Sequence, residues 1–511
     1  MMSKLILDHW LKLVGFKANP FGTREAESEG AELGQYFVEY PYFDEVLGDG
    51  KRPRTTFLFA DRGCGKSANR CMIEDYCRSQ KTEGKVLPIS YTDFRALLRE
   101  AGGVPPRVTQ PTHIQEILRQ GVLALLDHFH LHPRLAQQLY EDHHPRWVAL
   151  TPATYLTPVF VNRLLRQVGG LSVGLTSAKL REMVRRQAWE DLFARISDEA
   201  RLTIQLLAPL MYALVASDGE HSPAPVEQLN EFIDLLRFLG FDACYVLMDR
   251  LDELVETART PQAGVDLLHS LVEDLALLEL PHLAFKFFLP TEMRQPIEAI
   301  TRVDRLIFRQ VTWSDADLHR QLEARLRAFS DDRISSLSQI SAVGLKDMDD
   351  RLIRHAVGSP RNLIRLGEFV LSEHCRLPVD ERVEIDTDDW DRALRQYWAD
   401  LGLSMDDATG RVVVAGREIS PDVLTPREYE VLQLLYERAG QLCSRDEIAY
   451  GIYGTEAGAD ISAGAIDQAV SRLRKKIEPD QHEPLFIITI PGKGYRLDHA
   501  RPMYSSSGKE P

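Results

Sequence analysis

Two short segments carry residue types whose spacing suits chemistry on a chain of phosphates. The first is Ala60-Asp-Arg-Gly-Cys-Gly-Lys-Ser67, followed by Ala68. Gly63 and Gly65 let the backbone turn so that successive N–H groups, including those of Cys64 and Ala68, point at phosphate oxygens. Lys66 offers a cation to the β- and γ-phosphates, and Ser67 a hydroxyl to Mg2+. Ala60 stands where the phosphate-loop pattern has its first glycine. The rival reading is a Gly-rich strand-to-helix turn that binds nothing. The second segment is Tyr245-Val-Leu-Met-Asp-Arg-Leu-Asp-Glu253. Its apolar run ends in Asp249, placing a carboxylate at the C-terminal end of a strand, where ligands of open α/β sheets bind. Asp249 suits Mg2+. Asp252 or Glu253 would orient or deprotonate an attacking water, with Glu253 the first choice. Alternatively, Asp252 is an acid that stabilises a helix N-terminus.

A third pattern lies near the C-terminus. Leu424-Thr-Pro-Arg-Glu428 predicts a helix start with Thr425 as cap, Pro426 in the first turn and Glu428 closing a capping box. Ser444 and Glu447 predict a second such start. Ile466, Val470, Leu473 and Ile477 recur at helical spacing and leave Arg472, Arg474, Lys475 and Lys476 toward the opposite face. Phe486 to Leu497 predicts two strands around a Gly turn, with Tyr495 embedded in the core. The net charge of −15 argues against indiscriminate coating of nucleic acid. It leaves room for one basic face.

The elements that would position these residues follow from local pattern. Thr55–Phe59, Val86–Tyr91, Cys244–Met248 and Leu283–Leu289 read as buried strands. Alternating with helices, they predict an α/β parallel sheet. Residues 22–50 read as an irregular arm. Helical periodicity dominates 112–240, with breaks near Pro133, Pro145 and Gly169–Gly170, as an insertion. A length of 511 residues predicts about three to four domains. The divisions expected are 1–50, an N-terminal arm; 51–312, an α/β core with a helical insertion at about 100–240; 313–400, a helical lid; 401–410, a linker; 411–498, a small α+β domain; and 499–511, a tail.

The six cysteines form no CxxC pair and read as reduced thiols. No apolar run reaches the roughly 18–20 residues of a membrane span, and the first residues show no signal-peptide pattern. A cytoplasmic protein without a membrane partner is expected. His128, His130, His132, His143 and His144 fit no standard zinc spacing.

The order of motifs resembles the AAA+ and STAND ATPases, especially the branch near origin-recognition and transposition-associated ATPases, over roughly residues 15–375. Asn19-Pro20-Phe21 resembles that branch's adenine-side segment. Thr291 sits where its sensor 1 polar residue lies. Gly358-Ser-Pro-Arg-Asn-Leu-Ile-Arg365 resembles its sensor 2 helix, whose arginine, here Arg361, reaches the γ-phosphate. The resemblance implies a P-loop NTPase parallel sheet with a helical lid, ATP and Mg2+ as cofactors, slow hydrolysis used as a switch, and homo-oligomer formation on ATP binding. No arginine finger is assigned; Arg294, Arg302 and Arg305 are candidates by position only.

Residues 411–498 resemble the C-terminal winged helix of OmpR/PhoB-type response regulators. In that family the third helix enters the major groove and the wing touches the minor groove. Gln468, Ser471 and Arg472 are then groove-facing, while Arg474 and Lys475 contact phosphates. Pro491 stands where the wing often carries arginine, a contact that Lys493 could take over. The combined expectation is an ATP-dependent transcriptional regulator of double-stranded DNA, with a signal ligand or protein at the insertion. The alternatives are a DNA-handling ATPase and a STAND-type signalling or defence ATPase.

Overall fold

The computed structural model describes residues 2–23, 25–132, 134, 224–257, 260–376, 383–406, 410–419, 423–458, 463–478 and 484–501. His143, His144, most of the predicted insertion and the predicted tail lie largely outside them. Along the chain run α1 (Met2–Val14), β1 (Thr56–Ala60), α2 (Lys66–Arg78), β2 (Val86–Tyr91), α3 (Gln110–Leu131), α4 (Pro225–Phe238), β3 (Ala243–Met248), α5 (Pro261–Val272), β4 (Leu283–Pro290) and β5 (Ile307–Val311). Four helices follow: α6 (Asp315–Ser330), α7 (Met348–Ala356), α8 (Pro360–His374) and α9 (Thr387–Leu401). The last segment holds β6 (Ser404–Asp406), β7 (Arg411–Val414), β8 (Arg417–Ile419), α10 (Pro426–Glu437), β9 (Leu442–Cys443), α11 (Arg445–Gly458), α12 (Ala463–Ile477), β10 (Ile487–Ile490) and β11 (Gly494–Leu497). Two compact units result. One comprises residues 1–38, 61–65 and 312–511; the other comprises 39–60 and 66–311.

The second unit is built on a five-stranded sheet of order β2-β3-β4-β1-β5. Every neighbouring pair is parallel. A parallel sheet is covered on both faces, which is why β1, β3 and β4 are apolar runs rather than alternating ones. Phe57 of β1 stacks on Phe287 of β4 and Phe308 of β5, with ring centroids 4.4 and 4.7 Å apart. The strand that ends just before Asp249, β3, is separated from β1 by β4. The sequence reading also left β5 unnamed: Ile307-Phe-Arg-Gln-Val311 carries polar residues because it is an edge strand, and Arg309 pairs there with Glu45.

In the first unit, the stretch expected to be irregular is locally ordered. Short helices span Ala26–Glu29 and Leu33–Tyr36. The cause is Arg325 of α6, only 2% exposed. Its guanidinium donates to the Pro20 carbonyl and to Glu29 Oε1, and lies 4.6 Å from the centroid of the Tyr36 ring. Phe21, fully buried, fills a notch in α8 at Gly367, where an added Cβ would lie 2.6 Å from the ring. The stretch read as a linker contributes β6 to a three-stranded sheet of order β6-β7-β8, and Leu403 bridges to Ala500. Three residues are too few for an alternating pattern to announce a strand.

Gly367→Ala is expected to lower the unfolding midpoint of the full chain. Over-packing a filled notch costs about 1–3 kcal/mol, which outweighs the roughly 1 kcal/mol gained on replacing a helical glycine. Calorimetry checks this, and a raised midpoint would show that Phe21 does not occupy the notch.

Candidate functional site

At the C-terminal ends of β1 and β3, the second unit gathers Lys66, Ser67, Asp249 and Asp252. Lys66 opens α2 and is 7% exposed. Its Nζ donates to the Ala60 carbonyl at 3.2 Å and lies 3.6 Å from Asp252 Oδ2. Asp249, 1% exposed, accepts hydrogen bonds from Arg70 Nε at 3.3 Å, from the Arg250 N–H at 2.8 Å and from the Ser67 hydroxyl. Burial raises its carboxyl pKa, against the lowering effects of Arg70, Ser67, the Arg250 amide and Lys66. Ser67 and Asp249 together present hard oxygen donors of the kind that Mg2+ prefers. Arg70 holds one of the carboxylate oxygens and is itself braced by Glu74.

Of the two candidate water-activating acids, it is Asp252 that faces Lys66. Glu253, the first choice on sequence, points its carboxylate at the guanidinium of Arg250, 2.6 Å from Nε. Arg250 has φ +70°, a left-handed turn that redirects the chain after β3. Thr291 follows Pro290, the β4 residue in register with Ala60. Its Oγ1 is buried and has no hydrogen-bond partner. A buried orphan hydroxyl is uncommon and calls for a water or ligand. Arg70 was not singled out in the sequence; its only signal was a basic residue one helical turn beyond Lys66.

In the first unit, residues 61–65 meet the start of α8. The Gly63 carbonyl accepts from the Arg361 N–H at 3.3 Å, and the Cys64 carbonyl from Trp313 Nε1 at 3.0 Å. Gly63 and Gly65 have φ +84° and +95°, the left-handed conformations a phosphate-type loop requires. Ser359 caps α8 by accepting from the Asn362 N–H, with Pro360 in the first turn. The Arg361 side chain is exposed. Asn19 Oδ1 accepts from the Phe21 N–H at 2.9 Å, so its carboxamide oxygen closes a turn. Among the described residues, no cluster of three metal-binding side chains occurs, and no helix is long and apolar enough to cross a membrane. None of the six cysteines is in a disulfide.

The same unit holds a three-helix domain with a hairpin. Thr425 and Glu428 form a reciprocal capping box on α10. Ser444 and Glu447 do the same at the start of α11. Helix α12 buries Ile466, Val470, Leu473 and Ile477. Gln468, Ser471, Arg472 and Lys475 are exposed along it, as is Lys493 at the tip between β10 and β11.

The basic run divides by partner. Arg474 donates to the Ile487 carbonyl and to Thr489 Oγ1, and burial lowers its pKa. It therefore ties α12 to the hairpin, a role the sequence did not show. Lys476 pairs with Glu428, which is buried; burial opposes ionisation there, yet the bonds from Lys476 and Thr425 hold its pKa below the usual value. Two further acids were missed. Asp467 accepts from Arg445 Nε and from the Tyr495 hydroxyl, each at 2.6 Å. Glu478 accepts the backbone N–H groups of Leu485, Phe486 and Ile487. Tyr495 is 4% exposed, a core position.

The family model described as "Transcriptional regulatory protein, C terminal" matches residues 420–497. The chain is similar to the response regulator protein PmrA of Pseudomonas aeruginosa, 34% identical over 100 residues, which covers 20% of this chain and 41% of that protein. It is similar to the alkaline phosphatase synthesis transcriptional regulatory protein PhoP of Bacillus subtilis, 30% identical over 110 residues, covering 19% and 45%. A probable transcriptional regulatory protein of Picosynechococcus sp. is 33% identical over 105 residues, covering 20% and 39%. The chain thus spans less than half the length of each of these relatives. Among solved structures, it is similar to the Klebsiella pneumoniae RstA DNA-binding domain in complex with the RstA box, at 28% identity and a TM-score of 0.17, covering 19% of this chain and 92% of that one. Residues 420–497 carry a winged-helix DNA-binding domain of the OmpR/PhoB type.

Proposed function

We propose that this protein is a transcriptional regulator that binds double-stranded DNA through α12 and the β10–β11 hairpin, and that ATP with Mg2+ at the phosphate loop switches that binding. The observation that carries the DNA part is the exposed row Gln468, Ser471, Arg472 and Lys475 on a helix whose apolar row is buried. A helix so anchored offers the major groove hydrogen-bonding side chains in fixed register. The names of the three relatives, all regulatory proteins, support the same reading. Arg472 and Gln468 address base edges, Lys475 and Lys493 address phosphates, and Arg474 holds the hairpin against α12.

The nucleotide part is supported by the grouping of Lys66, Ser67, Asp249 and Asp252, by the left-handed Gly63 and Gly65, and by the unpartnered hydroxyl of Thr291. Backbone N–H groups of residues 63–68 cradle phosphate oxygens and Lys66 neutralises them. Ser67 and Asp249 hold the metal, which supplies charge neutralisation at the terminal phosphates. Asp252 orients a water, with Lys66 holding its carboxylate in place. Slow hydrolysis then serves as a reset rather than as the output. ATP-dependent association of copies of the chain accompanies the switch.

Lys66→Ala is expected to weaken ATP binding by about 10–100-fold, the loss of one charge-assisted contact of about 1.5–3 kcal/mol, as read by titration calorimetry. Unchanged affinity would remove the phosphate loop from the reading. Single-turnover hydrolysis is expected to slow more in Asp252→Asn than in Glu253→Gln, and the reverse order would return the water-activating role to Glu253. Arg472→Ala is expected to cost about 1–3 kcal/mol at the preferred duplex and to relax base preference there. Lys475→Ala should weaken all duplexes alike and reduce the salt slope by about one. Footprinting across the genome with wild type and Lys66→Ala tests the whole reading. Uniform coating with DNA-stimulated ATP turnover would replace the regulator by a DNA-handling ATPase.

A further inference from the structure

A continuous set of contacts joins residues 61–65 of the phosphate loop to the DNA-reading helix within one compact unit. It starts at Gly63. An added Cβ there would lie 2.9 Å from Ser359 Oγ and 3.0 Å from Arg361 Cβ, so the loop backbone and the first turn of α8 already touch. The Arg361 N–H, one of the first-turn donors that a helix cannot satisfy internally, donates to the Gly63 carbonyl at 3.3 Å.

The next residue, Asn362, is 8% exposed. Its Nδ2 donates to the Ala356 carbonyl at 3.3 Å and to the Ala415 carbonyl at 3.0 Å. Ala415 and Gly416 form the two-residue turn between β7 and β8, and both have positive φ, +52° and +79°. That is the tight hairpin geometry, and it is disfavoured for alanine. The Ala415 carbonyl is therefore held in a fixed direction toward Asn362. Immediately after the turn, Arg417 donates to the Lys476 carbonyl at 2.9 Å, in the last turn of α12. Carbonyls at a helix C-terminus lack internal partners, so this bond grips the end of the helix that carries Arg472 and Lys475.

We propose that Asn362 is the positioning residue that couples the phosphate loop to the winged helix. A change of the loop on taking up a triphosphate moves the first turn of α8. Asn362 passes that movement to the β7–β8 turn, and Arg417 passes it to the end of α12. This rests on the reading of the loop as an ATP site and of α12 as the DNA-contacting helix; it adds the residue that links them. The carboxamide suits the task because one short side chain with two χ angles ties two backbone segments, 356 and 415, that are remote in sequence.

The test uses the full chain and a duplex selected by the wild type from random sequence. The quantity read is the ratio of DNA dissociation constants without and with a non-hydrolysable ATP analogue plus Mg2+. Coupling of this kind is typically about 5–150-fold, and linkage requires the duplex to change analogue affinity by the same factor. Asn362→Ala and Asn362→Asp, the second retaining shape but losing the donor, are each expected to bring both ratios to within about twofold of one. Analogue affinity without DNA, DNA affinity without analogue, and the unfolding midpoint should stay near wild type. Retention of the wild-type ratio in both variants overturns the inference alone. So does loss of the ratio together with loss of folding or of either separate affinity, which marks a purely structural role. A wild-type ratio of one overturns the switch reading itself, and the inference with it.

Discussion

Asp249 is a carboxylate taken almost entirely out of water at the end of β3, and the second unit's site is arranged to satisfy it. A buried charge persists only when it is paired and hydrogen-bonded. Arg70, the Arg250 amide and the Ser67 hydroxyl all answer to it. Meeting that demand fixes more than one side chain. It sets the rotation of α2, because Ser67 and Arg70 lie on the face of that helix turned toward β3. It also uses the left-handed Arg250 to turn the chain so that Asp252 comes back against Lys66. Burial keeps the pKa of Asp249 raised despite the opposing effects of these partners.

The winged helix uses the same device at smaller scale. Glu428, Asp467 and Glu478 each sit at a junction between elements and each accepts more than one hydrogen bond. Their effect is to sort the basic residues. Lys476 and Arg445 are engaged by acids, and Arg474 by the hairpin backbone, whereas Arg472 and Lys475 stay exposed. A chain of net charge −15 can thereby present a small cationic surface, because its acids are used as internal struts beside that surface.

Features governed by near neighbours were legible beforehand. The capping box of Thr425 and Glu428 spans four residues, so its signature is visible in a string of letters. The buried row of α12 repeats at the helical period, and β2 begins and ends where its apolar run does. Legibility failed where the deciding partner lies far along the chain. Arg474 and Arg472 are two residues apart and chemically alike; only Thr489 and the Ile487 carbonyl distinguish them. Arg325 lies roughly 300 residues from Pro20, yet it determines that the N-terminal arm is ordered.

Sequence alone determined the parallel α/β character, the loop glycines with their lysine and serine, and the capped helices of the C-terminal domain, because each is set by residues within a few positions of one another. Tertiary structure alone decided that β4 lies between β1 and β3, that Asp252 rather than Glu253 faces Lys66, and that a single asparagine bridges α7, the start of α8 and a hairpin turn. Those outcomes depend on strand order and on which backbone carbonyls are left without partners, and neither quantity exists until the chain has closed on itself.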